Sequence, residues 1–334
     1  MPERRERIVP ATLAGLRLDL AMVQLWPDLS RARARRLIED GHATVTGKPA
    51  RPSARVRGGE PVALELPPPA PSGLIAQDLP LSVLFEDADL MVLDKAAGMV
   101  VHPARGSPAG TVVNALLHRL GDGAPGGERL GLVHRLDKET SGCLVVAKRE
   151  AALLKLQAAF KARKVEKTYL ALCHGAPGEQ GRLDTPYGRH PRDRTRYTGR
   201  IATLRRAVTG WRVLERFGDG AALLEVALET GRTHQIRVHL AEAGHPLLAD
   251  AVYGGTRRES RLEEDDPVRL AAAAMGRQAL HAWRLAFAHP RTGKALAFEA
   301  PLPPDLSAAL AILRRSSKVS AAAPPAGSAP RRRR

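Results

Sequence analysis

His134-Arg135-Leu136-Asp137-Lys138-Glu139-Thr140-Ser141-Gly142 sets a short carboxylate, Asp137, among cations and runs straight into the apolar stretch Cys143-Leu144-Val145-Val146-Ala147. A polar loop closed by glycine and followed by a β-rich run is where a fold can hold a reactive side chain at a cleft. A lone Asp in a charged loop more often makes a turn or a surface ion pair, so the reading rests on the whole string and its surroundings. Working outward, residues 81–85, 90–93, 142–147, 168–173 and 222–229 read as strands. Leu153, Leu156 and Phe160 recur at helical spacing, with Lys155, Lys161 and Arg163 off that stripe. Short strands with occasional helices predict an α+β domain around a mixed sheet rather than a regular βαβ series. No repeat with a period of some 20–50 residues is present, which argues against a solenoid or propeller.

The chain has 334 residues, 52 Lys+Arg against 35 Asp+Glu, and a formal net charge of +17. This length predicts two domains, and 44% hydrophobic residues suffice for ordinary cores. So basic a balance favours a polyanionic partner through phosphate neutralisation and counterion release. No apolar run approaches the ~20 residues needed to span a bilayer. The stretch Met1-Pro2-Glu3-Arg4-Arg5-Glu6-Arg7 lacks the apolar core of a signal peptide. The two cysteines, Cys143 and Cys173, lie in apolar runs and predict buried thiols in a reducing compartment. The expectation is a cytoplasmic, membrane-free protein, and nothing in the sequence demands more than a monomer.

Residues 17–66 form the first unit. Ser30 is placed to cap a helix from Arg31 to about Asp40, with Gly41 as its stop. Ala34, Leu37 and Ile38 share one face of that helix. Arg31, Arg33, Arg35 and Arg36 lie elsewhere on it and form a candidate phosphate-contacting surface. Ala43-Thr44-Val45-Thr46-Gly47-Lys48 then reads as a strand entering a tight turn, and Val56-Arg57-Gly58-Gly59-Glu60 follows. This order resembles the S4 RNA-binding domain, whose pattern is RLDxxLA, SRxxxxxLIxxGxVxVNG, then VxxGD. Thr46 stands where that pattern has Asn, and Glu60 where it has Asp.

Residues 67–73, Pro67-Pro68-Pro69-Ala70-Pro71-Ser72-Gly73, read as a semi-rigid linker. A second domain spans residues 74–313. Residues 316–334 are Ala, Pro and Ser ending in four arginines, a composition that predicts a disordered basic tail.

The nine-residue string resembles the HRLDxxTSG signature of the RluA/RluD group of pseudouridine synthases. The resemblance implies a catalytic domain built on a mixed, mostly antiparallel sheet with flanking helices, and Asp137 as nucleophile. The reaction breaks the bond between ribose and uracil N1, turns the base and rejoins ribose to C5. No atom is gained or lost, so it calls for no cofactor and no metal. The sequence likewise carries no Walker loop, dinucleotide fingerprint or zinc spacing. An Asp is ionised at neutral pH without activation, but burial would oppose its charge and a nearby cation would support it. Gly231-Arg232-Thr233-His234-Gln235-Ile236-Arg237-Val238-His239 resembles the family motif whose last Arg pairs with the catalytic carboxylate, here Arg237. Lys167-Thr168-Tyr169-Leu170-Ala171 resembles KxYxA, which implies that Tyr169 lies against the uracil ring and helps remove the C5 proton. His234 and His239, five apart, suit neither one helical face nor one strand face and read as structural.

A base inside folded RNA must be flipped out to react. In the family the Arg of HRLD fills the vacated gap, which points to Arg135, whose planar guanidinium can stack and bind phosphate. Pro186-Tyr187-Gly188-Arg189-His190-Pro191-Arg192-Asp193-Arg194 resembles the RluD-type branch. It implies 23S ribosomal RNA or a large-subunit precursor as partner, with Arg189, His190 and Arg192 as further RNA contacts. Leu204-Arg205-Arg206-Ala207-Val208-Thr209 departs from that branch's GKxAxT by losing its glycine. Two alternatives fit part of the pattern: the same reaction on tRNA or another rRNA site, and a noncatalytic S4-type RNA-binding or ribosome-assembly protein.

Overall fold

The computed structural model describes residues 3–322 apart from 67–73, 105 and 122–123. The expected linker therefore lies outside the described residues. The N-terminal unit comprises β1 (Glu3–Ile8), α1 (Leu18–Leu25), α2 (Arg31–Glu39), β2 (Ala43–Val45), β3 (Lys48–Pro49) and β4 (Pro61–Leu66). Its antiparallel sheet has the order β1-β4-β2-β3. The Ser30 hydroxyl accepts the Arg33 N–H at 3.2 Å, and Ala34, Leu37 and Ile38 are buried against Leu18, Met22 and Leu64. The turn between β2 and β3 places Thr46 at φ +49° and Gly47 at φ +76°, as a two-residue hairpin turn requires. This backbone suits Asn, and a β-branched Thr there is strained. The sheet also takes in β1, ahead of residue 17 where the sequence reading began the unit. Its sequence, Glu-Arg-Arg-Glu-Arg-Ile, carries no apolar alternation, because it is an edge strand held by backbone pairing to β4.

The second unit contains β5 (Ser82–Glu86), β6 (Leu90–Lys95), α3 (Val112–Leu120), β7 (Ser141–Ala147), α4 (Glu150–Lys161) and β8 (Glu166–His174). It continues through β9 (Gln180–Pro186), β10 (Gly188–Arg189), β11 (Tyr197–Thr198), β12 (Arg206–Phe217) and β13 (Ala221–Leu228). It ends with α5 (Gln235–Glu242), α6 (Gly255–Glu259), α7 (Pro267–Met275), β14 (Leu280–Ala288), β15 (Ala295–Glu299) and α8 (Pro304–Ala322). The main sheet runs β5-β6-β7-β14-β8-β13-β12-β9, with β15 paired to β14. It is mixed and mostly antiparallel, as expected. Among the described residues only β7 and β14 pair in parallel.

Alternation along the central strands sends side chains to two cores. Leu144 and Val146 join Met91 and Leu93 on the face covered by α3 and α5. Cys143, Val145 and Ala147 face the other way with Leu90, Val92 and the apolar side of α4. Further along, Leu170 and Leu172 of β8 meet α7 and α8. The run from Ser141 to Ala147 is buried at every position, which explains why it reads as continuously apolar. Gly142, which closes the opening motif, has φ +109°, and a Cβ there would lie 2.2 Å from the Ala282 carbonyl oxygen. No other residue fits, so the motif's glycine fixes how closely the loop end approaches β14. Both cysteines are free and buried, and burial pushes both thiols up to about 12. No helix among the described residues is long and apolar enough to cross a membrane.

α8 continues to Ala322, past residue 316 where the reading placed the tail. Its packed first half supports continued winding through alanine and serine. Residues 323–334 of the expected tail lie outside the described residues.

Candidate active site

A cavity of about 500 Å³ opens between the loop preceding β7, the first residues of β8 and the start of α5. Arg135, Asp137, Tyr169 and Arg237 all line it, although they come from three distant parts of the chain. Two buried cations clamp the loop from behind. The Lys95 ammonium donates to the carbonyls of Ala96, Met99 and Lys138 at 2.7, 2.9 and 3.0 Å. Arg277 donates to the Glu139 carbonyl at 2.7 Å and to the Ser141 hydroxyl at 3.1 Å, and is itself paired with Asp305. The Thr140 N–H closes a turn on the Asp137 carbonyl at 3.0 Å. At the loop's start, His134 Nε2 accepts the Val145 N–H at 3.0 Å and its ring stacks on Phe160. Burial lowers its pKa to about 3, so the ring is neutral. These contacts leave the Asp137 side chain 18% exposed and facing the cavity.

Arg237 is nearly buried and shared between two carboxylates. Its Nε and one terminal nitrogen bond Asp250 at 2.8 and 2.9 Å, and the other terminal nitrogen reaches Asp137 at 3.4 Å. Asp250 is fully buried, and its carboxylate also accepts the N–H groups of Val252 and Tyr253. Burial would raise its pKa, but the Arg237 bonds and charge and the two N–H groups hold it below the ordinary range. The Tyr253 ring packs 5.2 Å from the Arg237 guanidinium. Asp250 thus fixes the guanidinium from its far side and leaves one edge for Asp137.

Sequence reading missed Asp250 and Tyr253, and it assigned His234 to structure. His234 lines the cavity, with Nε2 3.9 Å from the Asp137 carboxylate and Nδ1 2.9 Å from the Tyr253 hydroxyl. Burial lowers its pKa against the raising effect of Asp137, with Arg237 lowering it further. The available signal was its position three residues before Arg237 at a helix start. His239, in contrast, meets Thr209 at 2.8 Å and Thr185 at 3.0 Å through its two ring nitrogens, a buried structural role as read. Thr140 also lines the cavity, and its hydroxyl is buried without a hydrogen-bond partner among the described residues.

Tyr169 is buried on β8, and burial, then the charge of Asp137, pushes its phenol above the ordinary value. It therefore carries its proton at neutral pH, and any part in moving the C5 proton is played as a hydroxyl. Arg135 is exposed at the cavity mouth. Glu139 is absent from the lining and lies 3.8 Å from Lys138. The other lining carboxylate, Glu229, is paired with Arg182 at 3.0 Å. Asp87, Asp89 and His289 cluster elsewhere, but His289 bonds Asp87, Arg291 bonds Asp89, and His289 Nδ1 accepts two backbone N–H groups. That arrangement fastens two loops.

The expected RNA-contacting arginines divide by partner. On α2, Arg31 is tied to buried Asp19 and Arg35 to Glu39, whereas Arg33 and Arg36 are exposed with no side-chain partner among the described residues. In the β10–β11 hairpin, Arg189 bonds the Arg194 carbonyl and packs over Tyr197. His190 Nδ1 accepts two N–H groups of its own turn, and Arg192 is exposed.

Residues 89–242 match the RNA pseudouridylate synthase family model, and residues 16–62 match the S4 domain. An uncharacterized RNA pseudouridine synthase of Chloroflexus aurantiacus is 48% identical over 92% of this chain and 93% of its own length. Ribosomal large subunit pseudouridine synthase D of Xanthomonas campestris is 44% identical over 94% of this chain and 93% of its own. The solved human RNA pseudouridylate synthase domain containing 1 superposes with a TM-score of 0.53 at 25% identity, covering 73% of this chain and 96% of that one. Family model, fold and relatives matched over more than nine-tenths of both chains agree: the chain belongs to the RNA pseudouridine synthases, with an S4 domain ahead of the synthase domain.

Proposed function

We propose that the protein isomerises uridine to pseudouridine in 23S ribosomal RNA, acting as a monomer in the cytoplasm, with Asp137 as nucleophile. The observation that carries this reading is Asp137 itself, held at the mouth of a base-sized cavity by a clamped loop and faced by the free edge of Arg237. The volume, about 500 Å³, suits a small ligand such as a flipped nucleoside. Asp137 adds to the substrate, either displacing N1 from C1′ or adding across C5=C6 before the N1–C1′ bond breaks, and it is expelled as, or after, the C5–C1′ bond forms. The C5 proton departs and N1 gains one, so atoms balance. Attack at ribose C1′ and attack at uracil C6 both use the one carboxylate. Arg237 supports its charge in a partly buried setting, Tyr169 offers a ring for stacking, and Arg135 fills the gap left by the flipped base. The full-length likeness to large-subunit enzymes supports 23S rRNA as substrate.

Pseudouridine mapping of total RNA from cells with and without the gene tests the target. Loss from one 23S stem-loop is expected. Loss from tRNA or from another rRNA would move the substrate, and no loss in the mapped RNA with no activity in purified protein would refute the reading.

A further inference from the structure

A second pocket, of about 350 Å³, lies between the β10–β11 hairpin, the end of α5 and Tyr253. Its polar lining holds one buried donor that lacks an acceptor. Arg196 packs 5.1 Å from the Tyr253 ring, yet its buried Nε has no hydrogen-bond partner. Among the described residues no carboxylate forms an ion pair with it. Asp193 feels its charge, but that carboxylate is turned onto Thr195. Because His190 Nδ1 accepts two N–H groups, its Nε2 carries the proton and is a donor. Arg200 contributes a third donor group, with one nitrogen on the Glu242 main-chain oxygen. The only carboxylate in the lining, Glu242, is already engaged by the Thr198 hydroxyl and the Gly199 N–H.

Two guanidiniums thus contact one aromatic ring. Arg237 is balanced by Asp137 and Asp250, while Arg196 forms no ion pair among the described residues and feels Asp193 only through space. A buried donor without an acceptor is costly, and two arginines and an imidazole N–H outnumber the one lining carboxylate, whose oxygens already accept from Thr198 and Gly199, so the cleft suits an anion. We propose that this pocket is a phosphodiester subsite, which takes an RNA backbone linkage next to the target uridine with Arg196 as its main ligand. The proposal rests on the pseudouridine synthase reading for the identity of the polyanion. Tyr253 joins the subsite to the reaction centre, since its hydroxyl meets His234 Nδ1 and accepts the Tyr197 N–H, both at 2.9 Å.

The test uses full-length protein and the stem-loop on which it acts, with one linkage at a time near the uridine replaced by an uncharged methylphosphonate. Wild type should lose roughly ten- to a hundredfold in affinity at one linkage, the worth of a charge-assisted bond. Arg196→Gln should bind native RNA that much more weakly and be indifferent to the same replacement. Arg196→Lys should recover part of the loss, and an unchanged thermal midpoint would show that the variants are folded. Equal penalties in wild type and Arg196→Gln at every linkage would overturn the proposal. So would competition by inorganic phosphate for Arg196 without any linkage dependence, which would make the occupant a free anion. The readout is binding, so loss of pseudouridine formation by wild type on unmodified RNA would strike the reaction reading alone.

Discussion

Replacing Asp250 with asparagine leaves shape unchanged and removes the charge that holds Arg237. One Asp250 oxygen accepts Arg237 Nε, and the other accepts an Arg237 terminal nitrogen and the N–H groups of Val252 and Tyr253. An amide has one accepting oxygen, so its NH₂ must face at least one of these donors. The missing charge-assisted bond is worth about 1.5–3 kcal/mol. A buried guanidinium deprived of a partner brings the total to about 3–5 kcal/mol. The freed guanidinium should then turn fully onto Asp137, shift the carboxylate and slow the reaction about a hundredfold, the scale of an ångström misplacement. Urea unfolding of Asp250→Asn, Arg237→Met and the double variant, with product assays, tests this. The double variant should be far more stable than the single losses predict. Losses that add to within about 0.5 kcal/mol would refute the reasoning.

Three further predictions follow from the same geometry. His134 is neutral when folded, with its pKa lowered to about 3, while an unfolded histidine protonates near 6.5. The unfolded chain therefore binds the extra proton between those values, and this residue's stability contribution falls as pH drops through that window, by at most about 1.4 kcal/mol per unit. His134→Gln should show a shallower fall in urea midpoint from pH 7 to 5, and an identical slope would contradict the assignment. Thr140→Val removes a buried hydroxyl with no partner in the free protein, so stability should hold or rise by about 1 kcal/mol. If the hydroxyl serves the bound nucleotide, KM rises at the same time; unchanged kinetics would exclude that use. Arg33→Ala with Arg36→Ala should weaken RNA binding and reduce the salt slope by roughly 0.7–0.9 for each phosphate that is no longer neutralised. Arg35→Ala, already committed to Glu39, should change the slope little, and equal effects would dismiss the distinction.

What the sequence disclosed was local. Ser30 and Gly41 bound α2 because caps act within one turn, and the strand after Asp137 shows because every residue of it is buried. The motif strings singled out Asp137, Tyr169 and Arg237, which converge on one cavity. The supporting residues did not show because their partners are far away in the chain. Lys95 meets Lys138 across 43 positions, and Arg277 meets Glu139 across 138. Asp250 is an unremarked aspartate until the fold brings it to Arg237. β1 escaped notice because an edge strand can be charged throughout. His190 read as an RNA contact from its motif alone, and only the fold shows that Nδ1 serves its own turn while Nε2 is left for a ligand.

The most direct test is pseudouridine formation by purified wild type and Asp137→Asn on a 23S rRNA transcript, with RNA binding measured alongside. Wild type should form product, while Asp137→Asn should bind the RNA comparably and form none. Product from clean Asp137→Asn protein would contradict the assignment of Asp137 as nucleophile.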